Sequence, residues 1–422
     1  MFFYSVDEHT LNVTEADGTG IYGPSDLHRL RFHNGQRYSV IVQTKKKDAG
    51  KSFYMRARMD PDCWSWVFND VQLTALGIIA LTGDDSYVIG ASSSETAPQT
   101  VDWPDEFTSE CLDINTNSMV PIIQRSVPRQ VSGSGAFQNA FGFEIIATGG
   151  IITRAEAAAS AANNSSLRQD ALKNGTFNST DRAGPLPAAS RGTGELLDKR
   201  EIKLGQPNLP LKHTSYWESI TRIAGPPPTP AGTIGKFFVN NKSWKTSPYQ
   251  PVLHDLLPSG SRARISPTIA NVVYPTVGWY DLYLVNLDPV ASHPYHLHAL
   301  DMHLVAIGQG LPTQETIANL TYKTENPLRR DTIVIGGGSF AVVRINADIP
   351  GAWLMHCHIG WHLEGGFAGI VMVQPEVVKT FKIPQANLNL CPSRKPPLDA
   401  IGPRGTNIIR KTLKVMKTWD IL

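Results

Sequence analysis

Cysteine is scarce in this chain. Its 422 residues carry four, Cys63, Cys111, Cys357 and Cys391, all far apart. A zinc finger needs paired cysteines, so that class of structural metal site is disfavoured. Histidine is also sparse, with 12 residues. An excess of one charge is missing: 39 basic and 37 acidic side chains leave a net +2. That excludes a broad basic face for nucleic acid and an acidic tail. No apolar run approaches the roughly 18 residues that cross a bilayer, so no membrane span is expected. The opening "MFFYSVDEHTLNVTEADG" has no basic start, no sustained apolar stretch and no small-residue cleavage site. It reads as a strand already in progress, followed by a turn. No internal repeat stands out.

What is present points to β-structure. Gly (35) and Pro (30) are plentiful, and short runs rich in Val, Ile, Tyr and Phe recur between them. The length allows two or three domains with buried cores. Residues 1–95 read as strands and turns ("RYSVIVQT", "SFYMRARM"), with "LTALGIIALTG" as a buried strand. Residues 96–125 read as a linker, for which the stretch "SSSETAPQTVDWPDEFTSE" at 92–110 is the signal. A third stretch, 126–393, resumes the β pattern after an insertion at 150–235. That insertion is rich in Ala, Asn and Ser, with a short helix expected near 154–173 and the remainder partly disordered. A basic tail, 394–422, shows no period. Seven Asn-x-Ser/Thr triplets begin at Asn12, Asn163, Asn164, Asn174, Asn178, Asn241 and Asn319. The four between 163 and 178 favour a secreted glycoprotein, and Cys63 and Cys111 are free to pair in an oxidising compartment.

The scarce histidines are concentrated. "HPYHLHALDMH" holds His293, His296, His298 and His303, and "HCHIGWH" holds His356, Cys357, His358 and His362. Successive side chains on a strand point to opposite faces. Cys357 therefore faces away from His356 and His358, and His293 faces away from His296 and His298. Two sites joined through the backbone at Cys357 follow. One thiolate with two imidazoles and a weak axial neighbour makes a blue-copper site. Its ligands here are Cys357, His293 and His362, with the non-coordinating Phe367 at the axial position. The isolated His9, His28, His33, His213 and His254 read as packing or surface residues, and so does His303.

"HPYHLHALDMH" and "GAWLMHCHIGWHLEGGF" resemble the last two copper motifs of the multicopper oxidases, particularly of fungal-type laccases. "NGQRYSVIVQT" resembles a strand of that family's second domain, and "NLNLCPSR" its C-terminal cysteine segment. The resemblance implies tandem cupredoxin-like Greek-key β-sandwiches in an all-β fold. It implies four coppers per intact enzyme: one type 1 on His293, Cys357 and His362, one type 2 on His296, and two type 3 on His298, His356 and His358. Ala299 and Leu300 replace a Gly and a His of the usual pattern, and Gly360 replaces an Asp. The trinuclear part of the family's site needs eight histidines, and the two His-x-His motifs here supply four. The expectation is a partial second domain and a third domain, with the first domain absent and required to complete the site. Cys391, which in the family bonds to the first domain, would then be an orphan thiol.

The implied activity is one-electron oxidation of small phenolic or aromatic substrates, with O2 reduced to water, in an extracellular setting. Cys357 and His362 are the residues that carry the electron in. Two rivals stand beside it. One is a non-catalytic blue-copper electron-transfer or copper-binding protein, or a degenerate copy. The other is a ferroxidase or ascorbate-oxidase-like relative, for which carboxylates such as Glu364 would have to lie near His362.

Overall fold

The computed structural model describes residues 1–60, 63, 72–81, 97–105, 111, 113–145, 151–153, 233–246, 251–255, 266, 268–288 and 291–389. Most of the expected insertion, its helix near 154–173, the four clustered glycosylation triplets, His213, Cys391 and the tail lie outside these residues. The chain divides into two compact units, Met1–Lys245 with Pro267–Glu376, and Thr246–Ser266 with Val377–Leu422.

The first unit is built almost wholly of strands, as the composition anticipates. Its N-terminal part holds β1 (Phe2–Val6), β2 (Leu11–Ala16), β3 (Thr19–Tyr22), β4 (Leu30–Phe32), β5 (Tyr38–Val42), β6 (Ser52–Met59), β7 (Thr74–Ala80) and β8 (Val120–Pro121). These form two sheets, ordered β4-β1-β6-β7 and β5-β2-β3-β8. Leu11 and Val13 of β2 are buried with Asn12 between them less so, the period expected of a half-buried strand, and Ile21 of β3 and Leu30 of β4 join the same core. The segment read as a buried strand, "LTALGIIALTG", contains β7 instead at the sheet edge. There Leu76 is 53% and Ile78 43% exposed. A continuous apolar run does not distinguish a central strand from an edge strand, and pairing on one side alone leaves β7 uncovered.

The segment read as a linker is bonded back onto these sheets. Thr100 Oγ1 donates to Asp7 (2.8 Å), and Trp103 Nε1 donates to the Val6 carbonyl (3.2 Å). His28 stacks on Trp103 at 3.6 Å and pairs with Asp105 at 2.8 Å. Cys63 and Cys111 form a disulfide.

The C-terminal part contributes β9 (Gly133–Ile145), β10 (Ile151–Thr153), β11 (Thr233–Val239), β12 (Asn271–Tyr274), β13 (Trp279–Asn286), β14 (His293–Leu297), β15 (Met302–Gln309), β16 (Leu328–Arg330), β17 (Thr332–Ile335), β18 (Ser339–Asn346), β19 (Gly351–Cys357) and β20 (Ala368–Val373). One sheet runs β10-β9-β13-β18-β15-β16, with β11 also on β9; the other runs β12-β20-β19-β14-β17. β10 and the first residues of β11 fall inside the expected insertion, so ladder pairing closes its two ends. Short helices α1 (Gln314–Ala318) and α2 (Gly360–Glu364) punctuate the strands; α3 (Pro375–Val378) and α4 (Gln385–Asn389) follow.

Strands β13 and β18 explain why this part is a core. Leu282, Leu284, Ala341, Val343 and Ile345 face one apolar cluster; Tyr283, Val285, Phe340 and Val342 face another. Covered on both faces, such strands lose the alternation of an exposed sheet and read as continuous apolar runs. Each fully buried Leu, Val or Phe is worth about 1.5–3 kcal/mol. The facing pair Asp281 and Arg344 fixes the register. Both are fully buried, and Arg344 reaches the two carboxylate oxygens at 2.7 and 3.0 Å. A one-residue slip would bury each charge unpaired.

A second buried pair crosses from the N-terminal to the C-terminal sheets. Arg330, 1% exposed, donates to Asp17 at 2.8 Å and to the Tyr38 hydroxyl at 2.8 Å.

Just past β14, Ala299 has φ +62° and Leu300 is 3% exposed in the core. A left-handed alanine costs about 1–2 kcal/mol, part of which a glycine regains after its larger unfolded-state entropy is counted. Ala299→Gly should therefore stabilise the chain by about 0.5–1 kcal/mol, measured by urea unfolding. A lower midpoint would show that the turn is not strained.

Candidate metal centre

Antiparallel β14 and β19 build the site. Tyr295 pairs with Cys357 and His296 with His356. Side chains alternate along each strand, so His293, Tyr295 and Cys357 share one face of the sheet and His296 and His356 share the other. His362 comes from α2, which is followed by a tight turn that ends at Gly366. That glycine has φ +109°, and a Cβ there would meet Ser243 Oγ at 2.0 Å. The turn returns Phe367 to Cys357: the Cys357 N–H donates to the Phe367 carbonyl at 3.2 Å, and the Phe367 N–H to the His362 carbonyl at 2.9 Å.

His293, Cys357 and His362 converge. Their donor atoms lie within 4.8 Å of one another. Sγ is 3.7 Å from His293 Nδ1 and 3.4 Å from His362 Nδ1, and the two nitrogens are 3.1 Å apart. Ligands at about 2.0–2.3 Å from a first-row metal, subtending roughly 100–120°, stand about 3–4 Å from each other, so the spacing fits one ion. Cys357 and His293 are fully buried, and His362 is half-buried. Burial pushes the Cys357 thiol far above its usual range, against the smaller opposing effect of a backbone hydrogen bond from Ile359. A metal ion bound here would supply the positive charge that a thiolate needs. Phe367, 2% exposed, closes the site with its ring 5.1 Å from that of His293.

Two contributors were not visible in the sequence. Asp288 sits 3.5 Å from His293 Nε2, at the nitrogen turned away from Cys357. Phe237 packs its ring 4.3 Å from His362 and 5.7 Å from His293. Asp288 lies just past β13, outside both histidine stretches, and no spacing rule links it to them. Phe237 is separated from the histidines by more than fifty residues, and no spacing rule links them.

On the opposite face His296, His298 and His356 also place one donor each within 4.8 Å of the others. His298 Nε2 and His356 Nε2 are 3.2 Å apart. His356 Nδ1 donates to the Cys357 carbonyl at 2.9 Å, and His296 Nδ1 to the Asp331 carbonyl at 2.9 Å. Each bond fixes the tautomer that leaves Nε2 bare. His358 stands at the margin of this group, its ring 5.5 Å from that of His296 and 5.6 Å from that of His356. His298 and His358 are exposed. Burial, with like-charge repulsion from the neighbouring imidazoles, pushes His356 down to about 4 against the weaker opposing effect of its carbonyl bond. His298 is lowered for the same first reason. Burial alone would raise the Asp331 carboxyl, but bonds from His296, Arg37 and Thr332 outweigh it and hold the group low. Lowered in this way, His298 and His356 favour the neutral form that ligates a metal.

His303 is not part of either group. It is buried and bonds through Nδ1 to the Arg344 carbonyl at 3.1 Å. His9 bonds the Asp7 carbonyl at 2.8 Å.

Comparison with known proteins points to one family. Residues 241–377 and 1–73 each match a family profile described as Multicopper oxidase. Laccase-1 of Cryptococcus neoformans var. grubii is 27% identical over 406 residues, 96% of this chain and 50% of that protein. The iron transport multicopper oxidase fio1 of Schizosaccharomyces pombe is 39% identical over 107 residues, 25% of this chain and 17% of that protein. The crystal structure of a laccase from Botrytis aclada superposes with a TM-score of 0.55 at 18% identity, covering 92% of this chain and 52% of that one. That likeness concerns the fold. The chain spans about half the length of the full-length relatives it matches.

The lowered His356 has a pH consequence for the metal-free chain. Between its unfolded value of 6.5 and its folded value of about 4, the unfolded chain holds more protons. Stability is therefore lost as pH falls through that window. His356→Gln should flatten the loss in thermal melts between pH 6.5 and 4. An identical slope would show that His356 does not titrate as described.

Proposed function

The chain belongs to the multicopper oxidase family, and on that footing we propose that it carries the electron-accepting part of a laccase-like oxidase. The observation that carries this reading is the back-to-back placement of two donor sets about the paired strands β14 and β19: Cys357 with His293 and His362, and His356 with His296 and His298.

In this reading His293, Cys357 and His362 would hold a type 1 copper, and the ring of Phe367, packed against His293, offers no further ligand atom. His296 holds the type 2 copper, and His298, His356 and His358 hold their share of the type 3 pair. Copper, when bound there, supplies the one-electron chemistry that oxidises phenols or other small aromatics and reduces O2 to water. The residues do the rest. Half-buried His362 is the donor closest to an approaching substrate, and Phe237 and Phe367 keep water from the thiolate. The Cys357 backbone links the two donor sets in two ways. It is covalently continuous with His356 and His358, and its carbonyl accepts the His356 Nδ1 proton.

The exposed rings of His298 and His358 face outward with four imidazoles on one surface. We read that surface as half of a site that a further domain completes. The Cys63–Cys111 disulfide and the exposed triplets at Asn241 and Asn319 support a secreted glycoprotein. Oxidation of ferrous iron is a second reading. The fio1 similarity favours it, together with exposed Glu364, two residues beyond His362.

Loaded with copper, the 422-residue chain should show the intense visible absorption of a copper-bound thiolate, and Cys357→Ser should abolish it. Phenol-dependent oxygen uptake should be absent from the chain alone. It should appear when a domain carrying the remaining histidines is supplied, and Cys357→Ser should abolish it there too. Copper bound without that absorption would contradict the reading. Uptake driven by Fe2+ and not by phenols would decide for the second reading.

A further inference from the structure

The loop between β4 and β5 touches the four-histidine surface from a part of the chain some 260 residues away in sequence. It is a tight turn in which the Gln36 N–H donates to the His33 carbonyl (3.2 Å) and Gln36 Oε1 accepts the His33 N–H (2.8 Å). The far side of the turn is tied down. Gln36 Nε2 donates to Asp113 at 2.6 Å, and the Arg37 N–H donates to Asp17 at 2.9 Å. Asp17 is the buried partner of Arg330.

Two residues of this turn meet the histidines. Gly35 has φ +84°, and a Cβ there would lie 2.5 Å from Cγ and Cδ2 of His358. Only a glycine lets the backbone come so close to that ring in that conformation. Arg37 places its two terminal nitrogens on the two carboxylate oxygens of Asp331, each at 2.7 Å. Asp331 in turn faces His296: its carbonyl accepts from Nδ1 at 2.9 Å, and its carboxylate stands 3.5 Å from the same nitrogen. Thr332 Oγ1, 3.0 Å from that nitrogen, donates to Asp331 Oδ1 at 2.9 Å.

We propose that the Asn34–Arg37 turn is the outer support of the four-histidine cluster, with Arg37 positioning His296 through Asp331 and Gly35 setting the place of the His358 ring. The inference rests on the reading of this cluster as a copper site. It adds that the N-terminal sheets act on that site directly. Bidentate pairing makes the contribution of Arg37 geometric as well as electrostatic, and a lysine cannot reproduce it. Outer residues that orient metal-bound histidines affect metal affinity by about 10–100-fold.

The test uses the full chain and Cu2+ in competition with a chelator. Arg37→Gln should weaken copper binding at the four-histidine cluster by about tenfold and change the electron paramagnetic signature of that copper. Arg37→Lys should weaken it less, and Gly35→Ala should weaken it comparably to Arg37→Gln. The thiolate absorption at Cys357 should be unchanged in all three, which separates positioning from general loss of fold. Should Arg37→Gln disturb that absorption as well, Arg37→Lys decides. In the metal-free chain, nitrogen-15 NMR should find His296 as a single Nδ1–H tautomer in the wild type and as a mixture in Arg37→Gln. Unchanged affinity with an unchanged tautomer in Arg37→Gln would overturn the proposal. A wild-type chain that takes no copper at these histidines would overturn the copper reading instead, and the tautomer measurement would then decide the role of the turn alone.

Discussion

The pairing of β14 with β19 is the constraint on which the rest depends. Opposing Tyr295 to Cys357 and His296 to His356 assigns each donor on these two strands to a face of the sheet. A slip of one residue would exchange the faces, put the thiol among the outward imidazoles and bury His356 where Cys357 now sits. The flanking ladders make the slip costly. β17 holds β14 from the other side, β20 holds β19, and buried residues line both. The site is thus specified by sheet register, and rigid strands hold its first donors more exactly than loops would.

The remaining donor of the buried group, His362, depends on a turn, and its place is enforced differently. Gly366 permits the return of the chain, and the Phe367 carbonyl and N–H tie the turn to Cys357 and His362. Phe237 then covers His362 from β11. The buried charges serve the same end at longer range. Asp281 with Arg344 sets the register of the central sheet, and Arg330 with Asp17 joins the N-terminal sheets to it. The neighbouring Asp331 carries that junction to His296.

Much of this was legible in the sequence because strand alternation is a local rule. It separates Cys357 from His356 and His293 from His296 with no tertiary information, and the all-β class follows from runs such as "WYDLYLVNL". The rule fails where burial depends on the neighbours. β7 is as apolar as β13, but it lies at an edge, and its sequence does not say so. Asp288, Phe237 and Asp331 were silent for a related reason: each acts on a histidine through a contact that only the folded chain makes. Ala299 was legible as a departure from the familiar pattern, but its left-handed backbone was not. The turn at Gly35 and Arg37 was read only as the start of a strand.

The central claim is that Cys357, His293 and His362 bind one copper ion while the histidines beside Cys357 in sequence serve another site. X-ray absorption at the copper edge, on chain loaded with a single equivalent of copper, tests it most directly. The account predicts one short sulfur and two nitrogen neighbours in the wild type, and no sulfur in Cys357→Ser. A shell of nitrogen alone in the wild type, with the Cys357 thiol still titratable by a thiol reagent after unfolding in the presence of copper, would contradict it.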